Sequence, residues 1–295
     1  MKILITGANG LLGQKLVAQL RAEGADFLAT GRGESRLNKD VPYRKMDITS
    51  ARDIKEAIES YQPEVIIHTA AMTNVDECEL NKEACWQQNV ESVRLLTEAC
   101  SSSNIFFLHL STDFIFSGEE GPLDENAKPA PVNYYGDSKL EAEQIVQKAT
   151  CPWAIARTVL VYGVTPGMSR SNIILWVKKS LEDGTQIKVV NDQWRTPTLA
   201  EDLADGCIRI AKNKAQGIWN ISGPDMLTPL EMAYATAEYF NLDTKYITKA
   251  DSSTFSQPAK RPPKTGFIID KARKELGYSP RSFTKGIEVM MSQIK

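Results

Sequence analysis

Residues 2–13 read Lys2-Ile3-Leu4-Ile5-Thr6-Gly7-Ala8-Asn9-Gly10-Leu11-Leu12-Gly13, and the order of residue types in them decides the fold. A short apolar run with the look of a buried strand passes into the glycine turn Gly7-x-x-Gly10-x-x-Gly13 and on into an amphipathic stretch. A strand that leaves such a turn as a helix aims backbone N–H groups and the positive end of the helix dipole at one point. Glycines keep the turn tight and let the backbone approach an anion. Gly7, Asn9, Gly10, Leu11, Leu12 and Gly13 are therefore the expected cradle for a pyrophosphate.

Outward from this turn, short apolar runs alternate with longer amphipathic ones. Strands are expected at Lys2–Thr6, Asp26–Thr30, Tyr43–Met46, Glu64–His68, Ile105–Leu110 and Trp153–Thr158, with helices at Leu11–Glu23, Ile54–Ser60, Ala84–Cys100 and Ser138–Lys148. This rhythm predicts an α/β fold, a Rossmann-type doubly wound parallel sheet covered on both faces. After Thr158 the pattern turns to Gly- and Pro-rich loops, then helices at Ala200–Lys212, Pro229–Phe240, Lys271–Gly277 and from Phe283. A smaller C-terminal α+β substrate lobe is expected there. The division reads as a nucleotide-binding domain over 1–160, also receiving 186–215, and a substrate lobe drawn mainly from 161–295. Residues 258–263 hold three prolines and two basic residues, which predicts an extended segment lining a cleft between the lobes.

The 295 residues carry 35 basic and 37 acidic side chains, a formal charge of −2, with no run of one sign to attract nucleic acid or anionic lipid. No stretch approaches the roughly 18 uncharged apolar residues of a membrane-spanning helix. A cytoplasmic protein without nucleic-acid or membrane partners is expected. Cys78, Cys85, Cys100, Cys151 and Cys207 form no C-x-x-C and suit reduced, buried thiols. The two histidines, His68 and His109, end apolar runs and are read as rings packed beside the cleft; no metal site is expected.

At the end of the second strand, where an acidic residue would bind a ribose 2′-hydroxyl, the chain has Thr30-Gly31-Arg32-Gly33. Arg32 suits a 2′-phosphate, so NADP(H) is expected over NAD(H); a solvated surface arginine is the competing reading. Asp47, followed by Ile48, is placed to meet the adenine or to cap the next helix.

The second chemical motif is Tyr135-Gly136-Asp137-Ser138-Lys139, preceded at a strand end by Ser111-Thr112-Asp113-Phe114. Residues four apart share a helix face, which puts the Lys139 ammonium near the Tyr135 hydroxyl. A tyrosine titrates at about 10, roughly three units too high for an efficient acid near neutrality. A unit charge at about 4 Å and an effective dielectric near 20 is worth about 4 kcal/mol, enough to close that gap provided it outweighs desolvation. Thr112 is placed to hold a carbonyl oxygen beside Tyr135.

Taken together, Ser111 to Phe116, Tyr135 to Lys139 and Asn191-Asp192-Gln193 resemble the dTDP-4-dehydrorhamnose reductase family of extended short-chain dehydrogenases/reductases, over nearly the whole chain. The resemblance implies a nicotinamide-dependent reduction of the 4-keto group of a nucleotide-linked 6-deoxyhexulose, with Thr112, Tyr135 and Lys139 catalytic and a nucleotide-sugar as partner. It assigns Ala70 and Ala71 to the cofactor wall, where small residues suit a flat ribose and nicotinamide. It also sets Thr73, Val75, Asp113 and Phe114 near the sugar, 195–198 over the site and Arg261 near the nucleotide diphosphate. A homodimer is compatible with it. One departure stands out: the family's R-T-S-W-V-Y is here Arg157-Thr158-Val159-Leu160-Val161-Tyr162, which removes an aromatic platform that Trp194 is a candidate to replace. Two alternatives follow: a reductase of another nucleotide ketosugar, and a non-catalytic NADP-binding regulatory subunit.

Overall fold

The computed structural model describes residues 1–168 and 171–294. Its centre is a seven-stranded sheet of β1 (Lys2–Thr6), β2 (Asp26–Gly31), β3 (Tyr43–Lys45), β4 (Val65–His68), β5 (Phe106–Thr112), β6 (Trp153–Thr158) and, after three short strands, β10 (Gly217–Asn220). The order is β10-β6-β5-β4-β1-β2-β3 and every pairing is parallel. The fold class is therefore a Rossmann-type α/β sheet. Side chains along a strand alternate between faces, and the helices sort accordingly. Ile3 and Ile5 share one core with α1 (Leu11–Ala22) and α8 (Ala200–Asn213), whereas Leu4 faces a core with α2 (Ala51–Tyr61), α5 (Ser92–Ser103) and α6 (Tyr134–Lys148). Strand order reverses at β1, and in such sheets the crevice beyond the carboxyl strand ends takes the ligand.

The short strands β7 (Val161–Tyr162), β8 (Ile187–Val190), β9 (Thr198–Leu199) and β11 (Ile247–Ala250) lie outside the main sheet, as two parallel pairs, β11 with β8 and β7 with β9. The β8–β11 pair packs with α7 (Ile173–Glu182) and α9 (Pro229–Tyr239). The segment 186–215 is thus divided, contrary to expectation. Its first part pairs with β11, because Ile187 and Val189 alternate inward toward that smaller core, while α8 covers the main sheet and β10, beyond 215, extends it. Of the last two helices, α11 (Phe283–Met291) packs with α9 in the small lobe, whereas α10 (Asp270–Leu276), expected there, packs on α8 and β10 because Ala272 and Leu276 are buried in the core of the main sheet.

Four helices differ from the periodicity. Ala84–Cys100 is not one helix: α4 (Lys82–Trp86) passes through a π-turn at Gln87–Glu91 before α5. The widened turn points Asn89 inward, where its amide bonds Met72 N and O and Ser138 Oγ at 2.8, 3.0 and 3.0 Å. A further helix, α3 (Val75–Leu80), starts from the Asn74 cap, and α7 from Asn172. Helix α6 begins four residues before Ser138 because Asn133 Oδ1 accepts from Gly136 N at 2.8 Å. Among the described residues no helix is long and apolar enough to cross a membrane, and no group of His, Cys, Asp or Glu is arranged to hold a metal. All five cysteines are buried.

Candidate active site

The glycine turn between β1 and α1 is shaped for a ligand of low bulk and negative charge. Gly7 adopts φ +70°, and a Cβ there would sit 2.7 Å from Ala70 N; at Gly13 it would sit 2.4 Å from Gly7 O. Gly10 opens α1 without a side-chain cap, and no acidic residue occupies the first turn. The helix N–H groups there are left for an anion. They face a cavity of about 780 Å³ walled by the glycine turn, residues 31–36, Met46, Asp47, Ile48, Thr69, Ala70, Ala71 and Gln88. Asn9 braces this wall, its amide donating to Glu34 O at 2.9 Å and Tyr43 Oη at 3.0 Å and accepting from Arg36 N at 2.9 Å. Leu11 and Leu12 are half-buried at the start of α1.

Arg32 is exposed on the cavity wall, and so is Arg36, which sequence reasoning passed over although it closes the same Gly31-to-Arg36 run. Asp47 is not a helix cap. Its Oδ1 accepts from Thr49 N and Oγ1 at 2.9 and 2.8 Å, and Ser50 caps α2.

The second half of the site stands where β5 ends beside the first turn of α6. Thr112 closes the strand; its hydroxyl donates to Asp113 Oδ1 at 3.1 Å and accepts from Phe114 N at 3.2 Å. Tyr135 packs edge-on against Phe114 at 5.9 Å and lies within hydrogen-bond reach of Thr112. Burial pushes the Tyr135 phenol above its ordinary range, with the Thr112 contact acting in the opposite sense. Burial also brings Lys139 down to about 8. The expected lowering of the phenol by the ammonium is therefore overturned in this structure, for desolvation dominates at both groups. Lys139 Nζ lies instead 3.0 Å from His109 Nε2 and donates to Leu110 O at 2.7 Å. His68 and His109 are buried, stacked rings 5.5 Å apart, but the contact with Lys139 gives His109 a part that packing alone did not predict.

Of the residues assigned to the sugar, Thr73 is exposed, whereas Val75 and Phe114 pack against Tyr135. Asp113 does not open into the cleft: it is 2% exposed, accepts from Thr265 Oγ1 and lies 3.7 Å from Arg195 Nε. Its carboxylate ties the end of β5 to the segment that follows 258–263. Arg195 is the staple of 258–263, donating to Pro262 O at 2.6 Å and Pro263 O at 3.2 Å while its guanidinium stands over Phe114. Arg261 is likewise engaged, both arms on Asp76. The 258–263 strap forms neither helix nor strand, and it is fastened to α3 through Asp76 and to the cap of α6 through Asn133 Nδ2 on Lys260 O at 2.7 Å. Trp194 is 37% exposed, and Leu160 is exposed at φ +35°.

Comparison with known proteins agrees with this geometry. The family described as RmlD substrate binding domain matches residues 1–295. The probable low-salt glycan biosynthesis reductase Agl14 of Haloferax volcanii is 30% identical over 281 residues, covering 95% of this chain and 93% of its own. Methionine adenosyltransferase 2 subunit beta of Danio rerio is 29% identical, over 88% of this chain and 80% of its own. The structure of the dTDP-4-dehydrorhamnose reductase of Bacillus anthracis in complex with NADP superposes with a TM-score of 0.87 at 26% identity, over 99% of both chains. The chain therefore belongs to the RmlD substrate-binding domain family and is an oxidoreductase of the dTDP-4-dehydrorhamnose reductase-like kind.

Proposed function

We propose that the chain reduces the 4-keto group of a nucleotide-linked 6-deoxyhexulose with NADPH, dTDP-4-dehydro-L-rhamnose being the first substrate to expect. The observation that carries this reading is the meeting of Thr112, Tyr135 and the Lys139-bearing turn of α6 at the carboxyl end of β5, in a sheet whose glycine turn is moulded for a pyrophosphate. The cofactor fits the residues present: the uncapped start of α1 would hold its diphosphate, Ala70 and Ala71 would leave room for the ribose and nicotinamide, Asp47 and Ile48 would wall the adenine end, and Arg32 would meet a 2′-phosphate.

When bound, the nicotinamide supplies a hydride for the keto carbon. The chain's own residues supply the rest. Thr112 orients the carbonyl oxygen, and Tyr135 passes its phenolic proton to that oxygen as negative charge develops there. Its high pKa keeps that proton in place until the developing alkoxide, a far stronger base than the ketone, accepts it. Lys139 would hold the ribose. We assign 1–160 together with 200–220 to nucleotide binding and the rest of 161–295 mainly to the sugar, with Trp194 as the aromatic surface that Leu160 does not offer.

The test is loss of NADPH absorbance with a panel of dTDP-, GDP- and UDP-linked ketosugars. Turnover confined to dTDP-4-dehydro-L-rhamnose supports the reading, and turnover of a GDP- or UDP-sugar alone moves the protein to another ketosugar. Silence across the panel with tight NADPH binding favours a regulatory role, a reading that the likeness to a methionine adenosyltransferase subunit keeps in play.

A further inference from the structure

Two acceptors hold the Lys139 ammonium, Leu110 O at 2.7 Å and His109 Nε2 at 3.0 Å. An ammonium has donors only, so Nε2 must be the unprotonated nitrogen and the ring proton must sit on Nδ1. His109 Nδ1 is buried and meets no hydrogen-bond partner among the described residues. A buried N–H left without a partner weakens a core, and Leu or Phe would fill the same volume without that defect. What the imidazole adds here is the Nε2 lone pair.

The ring is also fixed in its plane. It stacks on His68 at 5.5 Å and on Phe107 at 6.3 Å, and His68 Nδ1 lies 2.7 Å from Thr6 Oγ1, one residue before the glycine turn. The other groups facing Lys139 do not compete for it. Glu143 directs both carboxylate oxygens to Arg157, at 3.0 and 2.8 Å, and Cys85 Sγ is turned to Ser138 Oγ at 3.4 Å.

We propose that His109 is a positioning residue: its Nε2 lone pair, together with Leu110 O, takes two of the three N–H groups of Lys139 and leaves the third presented to the cofactor ribose. This rests on the reductase reading for its catalytic consequence. Its effect on cofactor affinity can be read without any turnover.

The experiment compares full-length wild type with H109L, H109Q, K139M and the H109L/K139M double variant, measuring NADPH affinity by calorimetry and turnover with dTDP-4-dehydro-L-rhamnose. Losing a charge-assisted contact should weaken NADPH by about 10-fold in H109L and lower kcat with little change in sugar KM. In H109Q the side-chain carbonyl reaches the Nε2 position, so both quantities should return most of the way. In a K139M background H109L should add no further loss of affinity.

Wild-type affinity in H109L overturns the proposal, as do additive losses in the double variant or an H109Q that folds and is no better than H109L. If H109L does not fold, H109Q decides: near-wild-type NADPH affinity supports the proposal, and affinity as weak as that of K139M overturns it. A wild type that binds NADPH but turns over no ketosugar sinks the reductase reading alone.

Discussion

Arg261 lies fork to fork on Asp76, Nη1 2.5 Å from Oδ1 and Nη2 2.7 Å from Oδ2, and the same carboxylate accepts from Ala259 N at 3.1 Å. The Arg261 guanidinium beside it holds the Asp76 carboxyl below the usual range, so the pair is charged at neutral pH. An arginine already matched to a carboxylate binds a diphosphate only by exchanging one anion for the other. Arg261→Ala should therefore raise the KM for the nucleotide-sugar about 10- to 100-fold, the loss of a charged hydrogen bond. Asp76→Asn, which keeps an acceptor for Ala259 and removes the competing charge, should lower it. Steady-state kinetics at saturating NADPH is the measurement. An Asp76→Asn enzyme with its KM raised as far as that of Arg261→Ala would show that the pair only fastens the strap.

Tyr135→Phe removes one hydroxyl from a position where the ring is packed against Phe114 and Val75, so the fold should hold. General acid catalysis is worth about 10²–10⁴-fold, and kcat should drop by that order while NADPH affinity is largely kept. Single-turnover absorbance of NADPH reads both. A near-normal kcat would remove Tyr135 from the proton-donor role and direct attention to Tyr134, which lacks a lysine four residues on.

The parts of this site that could be read from the sequence are those encoded locally. Gly7, Gly10 and Gly13 follow a strand directly, and Tyr135 and Lys139 are one helical turn apart, so spacing alone carries them. The other partners are set by pairings that leave no periodic trace. Asp113 is turned from the cleft by Thr265, 152 residues on; Arg195 is drawn to Pro262, 67 residues on; and Arg261 to Asp76 across 185. His109 meets Lys139 only because α6 packs along β5, a relation that the apolar run and the helical run, read separately, do not encode. The π-turn at 87–91 was equally hidden, since it exists to turn one buried asparagine toward Met72 and Ser138.

A pH dependence follows from Lys139, which burial brings down to about 8 although Glu143 and Cys85 act to raise it. Below that pH the group is an ammonium with an N–H for the ribose; above it the amine is neutral and its hydrogen bond is weaker. NADPH affinity should fall as pH rises through about 8 and stay low and flat in Lys139→Met. His109, pushed well below its ordinary range, stays neutral throughout and adds no step. The same lysine affects stability. The unfolded chain keeps this proton to higher pH than the folded one, so Lys139 adds stability as pH rises from about 8 toward the ordinary value of 10.5. Calorimetric titrations at a series of pH values test the first statement, and an affinity that does not change across that interval contradicts it.

Cofactor choice rests on the wall from Gly31 to Arg36. No acidic side chain ends β2, and two guanidinium groups line the cavity instead. They are not equivalent. Arg36 is tethered, its Nη1 donating to Gly167 O at 2.9 Å and its backbone N to Asn9 Oδ1 at 2.9 Å, whereas the Arg32 side chain makes no such tie among the described residues and stands exposed at the strand end. A 2′-phosphate meeting Arg32 should gain about 1.5–3 kcal/mol, so NADPH should bind about 10- to 150-fold more tightly than NADH. Arg32→Ala should remove most of that ratio by weakening NADPH and leaving NADH alone. Arg36→Ala should cost less, and should weaken both cofactors together, because it loosens the loop that Asn9 braces. Titration of both cofactors into the three proteins separates the roles. Equal affinities in wild type refute the preference, and a ratio that survives Arg32→Ala but collapses in Arg36→Ala assigns the phosphate to the second arginine.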